Sequence, residues 1–303
     1  MPNAELEATI TMTTYYNYVT AWVVALEREY GVGQAGIQAF CGCQQELDTF
    51  KRLQGGGHAC TDLASALFRG KLTLTAMQKL PVDSFPDLAP MANLWLPVQA
   101  YFVAHGMGMA VLSAIGQEVP KDHRRFRATF SENISRLLPF PFCARCKGGP
   151  LTQHFTFLGI DTSAASVAAQ NNLANPRNAQ GHHFLGKSLS TTRDKALEEV
   201  FDKARREHVK PNRSRRNLKP DERDRLTKKL HTTSIADLLY RMRVRANYDD
   251  PEMYLAAFNN AEGAIAHYRA LTYLSVVLAE GLCAIVRHRI GSRAMNELEA
   301  RLQ

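Results

Sequence analysis

The sequence predicts a mainly α fold, an antiparallel helical bundle interrupted by an irregular insertion. Apolar residues recur every three to four positions through most of the chain, and no clear run of alternating β-branched residues exists outside the insertion. Residues 139–190, in contrast, are rich in Pro, Gly, Asn, Ser and Thr with only weak periodicity. At 303 residues, 45% hydrophobic and 22% charged, the chain has an ordinary globular composition and suffices for one elaborated domain or two small ones. The expected organisation is a discontinuous bundle of residues 1–138 and 231–303, with residues 139–230 as a loop-rich and basic helical insertion.

The first helix follows from Tyr15, Val19, Trp22 and Leu26 at helical spacing, ended by Gly31 and Gly33. Ile37, Phe40, Cys41, Leu47 and Phe50 mark another over residues 34–53. Gly55-Gly56-Gly57 lacks the lysine and following Ser or Thr of a phosphate-cradling loop, so it reads as a plain hinge. Residues 61–80 suggest two short helices, and three prolines make 81–90 an extended connection. A buried helix is expected over about 94–115, closed by Gly116, and then one carrying Phe126, Phe130, Ile134 and Leu137 inward. Short strands are expected around His154–Leu158. A charged amphipathic helix covers 192–210, with Leu197, Val200, Phe201 and Ala204 on one face. After a break from Pro211 to Pro220, a short helix spans 221–230, a long one runs toward Gly291, and a polar tail helix ends the chain.

The stretch from Leu88 to Gln117 contains no Lys, Arg, Asp or Glu and exceeds the roughly 20 residues that span a bilayer. Pro90, Asn93, Pro97, Gln99 and His105 interrupt it, and Trp95, Val98, Phe102, Met109 and Leu112 keep a helical stripe. A buried central helix is therefore expected, and no membrane contact. Six cysteines with no signal-peptide pattern at the start point to a reducing, cytoplasmic setting.

The formal charge of +8 is concentrated. Residues 203–229 carry twelve Lys or Arg against four Asp or Glu, and the rest of the chain balances at 25 of each. A concentrated basic segment suits a phosphate backbone, or else forms a solvated charged face. Lys210, Arg213, Arg215, Arg216 and Lys219 are its nucleic-acid-binding candidates.

Ile235–Ala266 organises the rest. A short helix carries Arg241, Arg243 and Arg245 and runs into Asn247-Tyr248-Asp249-Asp250-Pro251. Asp250 suits an N-cap and Pro251 the first helical position. Tyr254, Phe258, Ala261, Ile265 and Tyr268 then form the inner stripe of a packed helix. Guanidiniums, an amide, a phenol and carboxylates are thus expected together at the mouth of the bundle. The arginines either pair with Asp237, Asp249, Asp250 or Glu252, or face a phosphate or partner.

Two segments, Val98–Phe126 and Leu238–Tyr268, together resemble the HEPN superfamily of helical-bundle proteins of prokaryotic toxin–antitoxin, RNA-processing and phage-defence systems. Val98–Phe126 is similar to the family's helix of aromatic and small residues followed by a Pro-Lys-x-His turn. Leu238–Tyr268 resembles its arginine-bearing junction and closing long helix. The resemblance implies a four- or five-helix bundle, often dimeric, that binds RNA or another nucleic acid. It implies an R-x4-6-H nuclease motif at the junction, in which arginine holds the scissile phosphate and histidine moves a proton. No histidine follows Arg241, Arg243 or Arg245 at that spacing. Arg225 and His231 match R-x5-H inside the basic connector, where chance is the simpler explanation. The catalytic candidates are Arg241, Arg245, Asn247 and Asp249, with Arg243 a nucleic-acid contact. Three functions follow as alternatives: an RNA-binding defence protein that contributes to cleavage, a silent subunit of a larger effector, or a metal-stapled nuclease.

Cys143-Ala-Arg-Cys146 is a C-x2-C knuckle, and His154, His182 and His183 follow it. A loop-rich segment would gain from a structural zinc, with Cys143, Cys146 and His154 as candidate ligands. His105 is expected in the core, and His123 at the start of the next helix.

Overall fold

The computed structural model describes residues 2–53, 60–149, 154–160, 181–207, 217–249 and 261–300. Among them the protein is mainly helical, with one two-stranded sheet. The helices are α1 (Pro2–Tyr30), α2 (Gly33–Glu46), α3 (Asp48–Lys51), α4 (Thr61–Lys79), α5 (Leu88–Ala114) and α6 (His123–Thr129). After the sheet come α7 (Gly181–Arg206), α8 (Pro220–Lys229), α9 (Ile235–Val244), α10 (Ala261–Ile290) and α11 (Ser292–Ala300). The basic string Lys210, Arg213, Arg215 and Arg216 lies outside the described residues, as do Tyr254 and Phe258.

Helix α5 is the centre, packed against α4, α9 and α10. Its lack of charge goes with the burial of most positions from Ala89 through Ala114, although Trp95 and Phe102, expected on the buried stripe, are exposed. The buried Asn93 donates from Nδ2 to the Ala264 carbonyl at 2.9 Å, which ties α5 to the start of α10. Where α4 crosses α5, a Cβ on Gly106 would lie 2.8 Å from the Gly70 nitrogen, so the two backbones meet through glycine. Helix α10 is long and apolar enough to cross a membrane, yet most of its most apolar window is buried within the bundle.

Three boundaries differ from expectation. Residues 61–79 form one helix and not two, because Leu63, Leu67, Gly70, Leu74 and Met77 make a continuous stripe against α5. Helix α5 starts at Leu88, since Pro90 falls in the first turn where a missing N–H costs nothing, and it also carries Pro97 in its interior. Helix α7 begins at Gly181, eleven residues before the expected Thr192, because Leu185, Ser188 and Leu189 pack on α1, where Trp22 Nε1 donates to Ser188 Oγ at 3.1 Å.

The strand expected around His154–Leu158 forms as β2 (His154–Leu158) and pairs antiparallel with β1 (Arg145–Gly149), which the sequence reading did not expect. Cys146 pairs with Phe157 there, and its backbone also bridges Thr233 just before α9. The guanidinium of Arg193 on α7, 1% exposed, donates to the carbonyls of Gly148, His231 and Thr227. A planar five-donor fork thereby fixes the hairpin and the α8–α9 connection in place.

Candidate nucleic-acid interface

Helix α9 positions the site. Ser234 caps it, and Asp237 completes a capping box by accepting the Ser234 N–H at 3.0 Å. Asp237 is 3% exposed and also receives Arg127 Nη1 at 2.9 Å and His231 Nε2 at 2.8 Å. An ionised carboxylate can only accept, so His231 presents its Nε2–H there. Burial opposes ionisation of Asp237, but the His231 hydrogen bond and the Arg127 charge outweigh it and hold its pKa below the usual 3.8.

Arg127 then lies over the Tyr240 ring, 4.1 Å from its centroid. Tyr240 in turn packs edge-on to Tyr101, at 5.4 Å between ring centres. Tyr101 shares a 2.9 Å hydrogen bond with His123 Nδ1, and His105 stands 5.2 Å from His123 between ring centres. Arg243 covers this cluster, 5.4 Å from both Tyr101 and Phe102 and 5.7 Å from Tyr240. Burial first, then the charges or dipoles of His123, Arg69 and Arg243, pushes the His105 pKa down to about 4. His123 is lowered for the same main reason, with Arg243 and Arg127 adding to it. Both imidazoles are therefore neutral at neutral pH.

Two recesses flank this row. One, of about 110 Å³, lies between α7 and α9 and is lined by Arg127, Lys195, Arg241, Arg245, Thr192 and Tyr240 together with Glu199 and Asp237. The other, of about 420 Å³, lies against α4 and α5 and includes Arg69, Phe102, His105, Lys121 and His123. Three cations, Lys195, Arg241 and Arg127, are thus followed by Tyr240, Arg243, Phe102 and Arg69 between the two recesses. Arginine and aromatic faces so interleaved suit a single-stranded nucleic acid, whose phosphates need charge and whose bases need flat apolar partners.

No protein-family model, curated protein or solved structure matches the chain.

The three arginines do not form the single cluster their spacing suggested. At about 100° per residue, Arg241 and Arg245 share a face of α9 while Arg243 turns to the other side. Nor does Asp237 neutralise them, because Arg127 and His231 occupy it. Arg241 Nη1 and Arg243 Nε are shielded from water without a hydrogen bond among the described residues, and Arg241 lies 5.3 Å from the Tyr15 ring centre. Arg245 opens a π-helical turn, Arg245–Asp249, that carries the half-buried Asn247 but not into the cleft lining. The side chain of Asp249 lies outside the described residues. Lys219 is exposed just before α8, and Arg225 is exposed on that helix and lines neither recess.

The zinc expectation does not fit. Among the described residues no three His, Cys, Asp or Glu side chains are grouped to hold a metal. Cys146 is fully buried, and burial raises its thiol pKa to about 12 and that of Cys143 to about 11. The ladder sets His154 opposite Gly149, three residues along the strand from the partner of Cys146, or roughly 10 Å away. Alternation along β1 turns Cys146 into the apolar core, where the C-x2-C spacing serves packing.

Arg127, His231, Tyr240 and the His105–His123 pair were not singled out as a site by sequence reasoning. The Ser234-x-x-Asp237 capping signature was a signal that could have pointed to this carboxylate, but it was not read. Its partner Arg127 is 110 positions away, and nothing local announces that contact.

Proposed function

We propose that the protein is a HEPN-like nucleic-acid-binding protein of a prokaryotic defence or toxin–antitoxin-like system, with single-stranded RNA as its ligand. The observation that carries this reading is the row of cations beside aromatic rings that runs from Lys195, Arg241 and Arg127 past Tyr240 and Arg243 to Phe102 and Arg69. The packing of α5, α9 and α10 in one bundle is the arrangement the family resemblance requires. Arg241 and Arg243 supply charge without a carboxylate on their buried nitrogens, while the exposed Phe102 supplies a face for a base. Among the described residues no histidine lines the Arg241 recess, so the reading is one of binding, and cleavage is a separate property.

Competition between a single strand and a duplex of the same sequence tests the proposal. The single strand should win by about tenfold or more, and Phe102→Ala should remove about 1–3 kcal/mol of its affinity. Equal affinity for duplex and single strand, unchanged in Phe102→Ala, would contradict it.

An alternative reading, a silent subunit of a larger assembly, is favoured by one observation. Leu88, Met91, Trp95 and Phe102 lie at spacings of 3, 4 and 7 on one face of α5 and are all exposed, Trp95 by 59%. Trp95→Glu should abolish co-purification with any such partner while leaving RNA affinity within twofold.

A further inference from the structure

We infer that the recess against α4 and α5 is a subsite that reads one base of the bound strand, with His105 and His123 on the base edge, Phe102 on its face, and Arg69 and Lys121 on the adjoining phosphates. The inference rests on the nucleic-acid reading above and deepens it from charge and stacking to a choice among bases.

Charge comes first. Arg69 and Lys121 are exposed in the lining and have no carboxylate partner among the described residues. Asp122, which also lines the recess, is committed to α6: its Oδ1 accepts the Arg125 N–H at 2.8 Å and its Oδ2 lies 3.7 Å from Arg125 Nε. A strand brings one phosphate on each side of a base, so two uncommitted cations beside one base position suit it.

The wall supplies stacking. Arg243 lies over Phe102, 5.4 Å from the ring centre, and Phe102 remains 39% exposed. Leu72 of α4, 55% exposed, lines the same recess beside it. An aromatic ring that carries a guanidinium on one face can take a base on the other, and such stacking adds affinity without choosing among bases.

The choice falls to the imidazoles. His123 Nδ1 is held by the Tyr101 hydroxyl at 2.9 Å, which fixes the ring in the lining. His123 Nε2 and both nitrogens of His105 have no hydrogen bond among the described residues, and none of the three is sealed from water. Burial and the neighbouring cations keep both rings neutral, so each carries one N–H donor and one acceptor. A neutral ring offers a phosphate no charge. Its donor and acceptor match the mixed edge of a base instead, where the wrong base leaves a group unpaired.

The test uses the full chain with oligoadenylate, oligocytidylate and oligouridylate of one length, about 12 nucleotides. The best and worst of the three should differ by about tenfold or more. His105→Phe and His123→Phe keep a flat ring and lose the nitrogens, and each should shrink that ratio to within about threefold with unchanged circular dichroism. Arg69→Ala/Lys121→Ala should weaken all three oligomers alike, leave the ratio intact and make the slope of log K against log salt shallower by about 1.4. Equal binding of the three oligomers, or a ratio that survives in both histidine variants, overturns the inference and leaves the nucleic-acid reading in place. Failure of every oligomer to bind overturns that reading and the inference with it.

Discussion

Arg127 Nη1 stands 2.9 Å from Asp237 Oδ1 while its guanidinium covers the Tyr240 ring at 4.1 Å. One side chain thus joins the cap of α9 to the aromatic row that leads to His123. With His231 at 2.8 Å on the same oxygen, Asp237 is the hinge-pin of the junction.

Removing that carboxylate should be expensive. Asp237→Ala leaves a largely buried guanidinium and imidazole without their acceptor, a change that costs about 3–5 kcal/mol for buried pairs. Urea unfolding measures it. A loss below about 1 kcal/mol would mean that the junction does not depend on this network.

Acid should reveal the same residue. The pKa of Asp237 is lower in the fold than the 3.8 of an unperturbed aspartate. Its stabilising contribution is therefore complete above about pH 4 and is lost as pH falls through the folded value. Between pH 6 and 2.5 the urea midpoint of the native chain should fall more steeply below pH 4 than that of Asp237→Asn. Parallel curves would contradict the assignment.

His105 predicts a loss of stability at a higher pH. Its folded pKa of about 4 lies below the ordinary 6.5, so the unfolded chain binds the proton more tightly between those values. Stability should be intact above about 6.5 and decline toward pH 4, by about 2–3 kcal/mol from this residue. The fully buried His267, pushed by burial down to about 3, declines in the same direction and continues lower. His105→Phe should flatten the curve between pH 6.5 and 4 without abolishing it, as followed by thermal melting.

Metal removal should do nothing. Cys146 pairs with Phe157, three residues along the ladder from His154, and no three candidate ligands are grouped among the described residues, so a chelator should leave the melting temperature within about 1 °C. A drop of 10 °C, restored by zinc, would contradict the account of the hairpin.

Much of this architecture is written locally. Helix α5 was legible because a charge-free run with a helical stripe has few other stable uses, whereas the Ser234–Asp237 cap that starts α9 went unused. The arginine arrangement was within reach of the same reasoning: alternate positions on a helix diverge by about 200°, which separates Arg243 from Arg241 and Arg245. The carboxylate network was not, since Arg127 and Asp237 meet only through the packing of α6 against α9. Cys143 and Cys146 misled because a two-residue gap has the same appearance in a zinc knuckle and at the start of a strand.

The most direct test of the interface is the salt dependence of single-stranded RNA binding, measured from about 0.05 to 0.3 M for the native chain and for Lys195→Ala/Arg241→Ala/Arg243→Ala. Each lost phosphate contact should reduce the slope of log K against log salt by about 0.7. The account predicts a linear fall in the native chain and a slope shallower by about 2 in the triple variant. A slope that is flat, or identical in the two proteins, would contradict it.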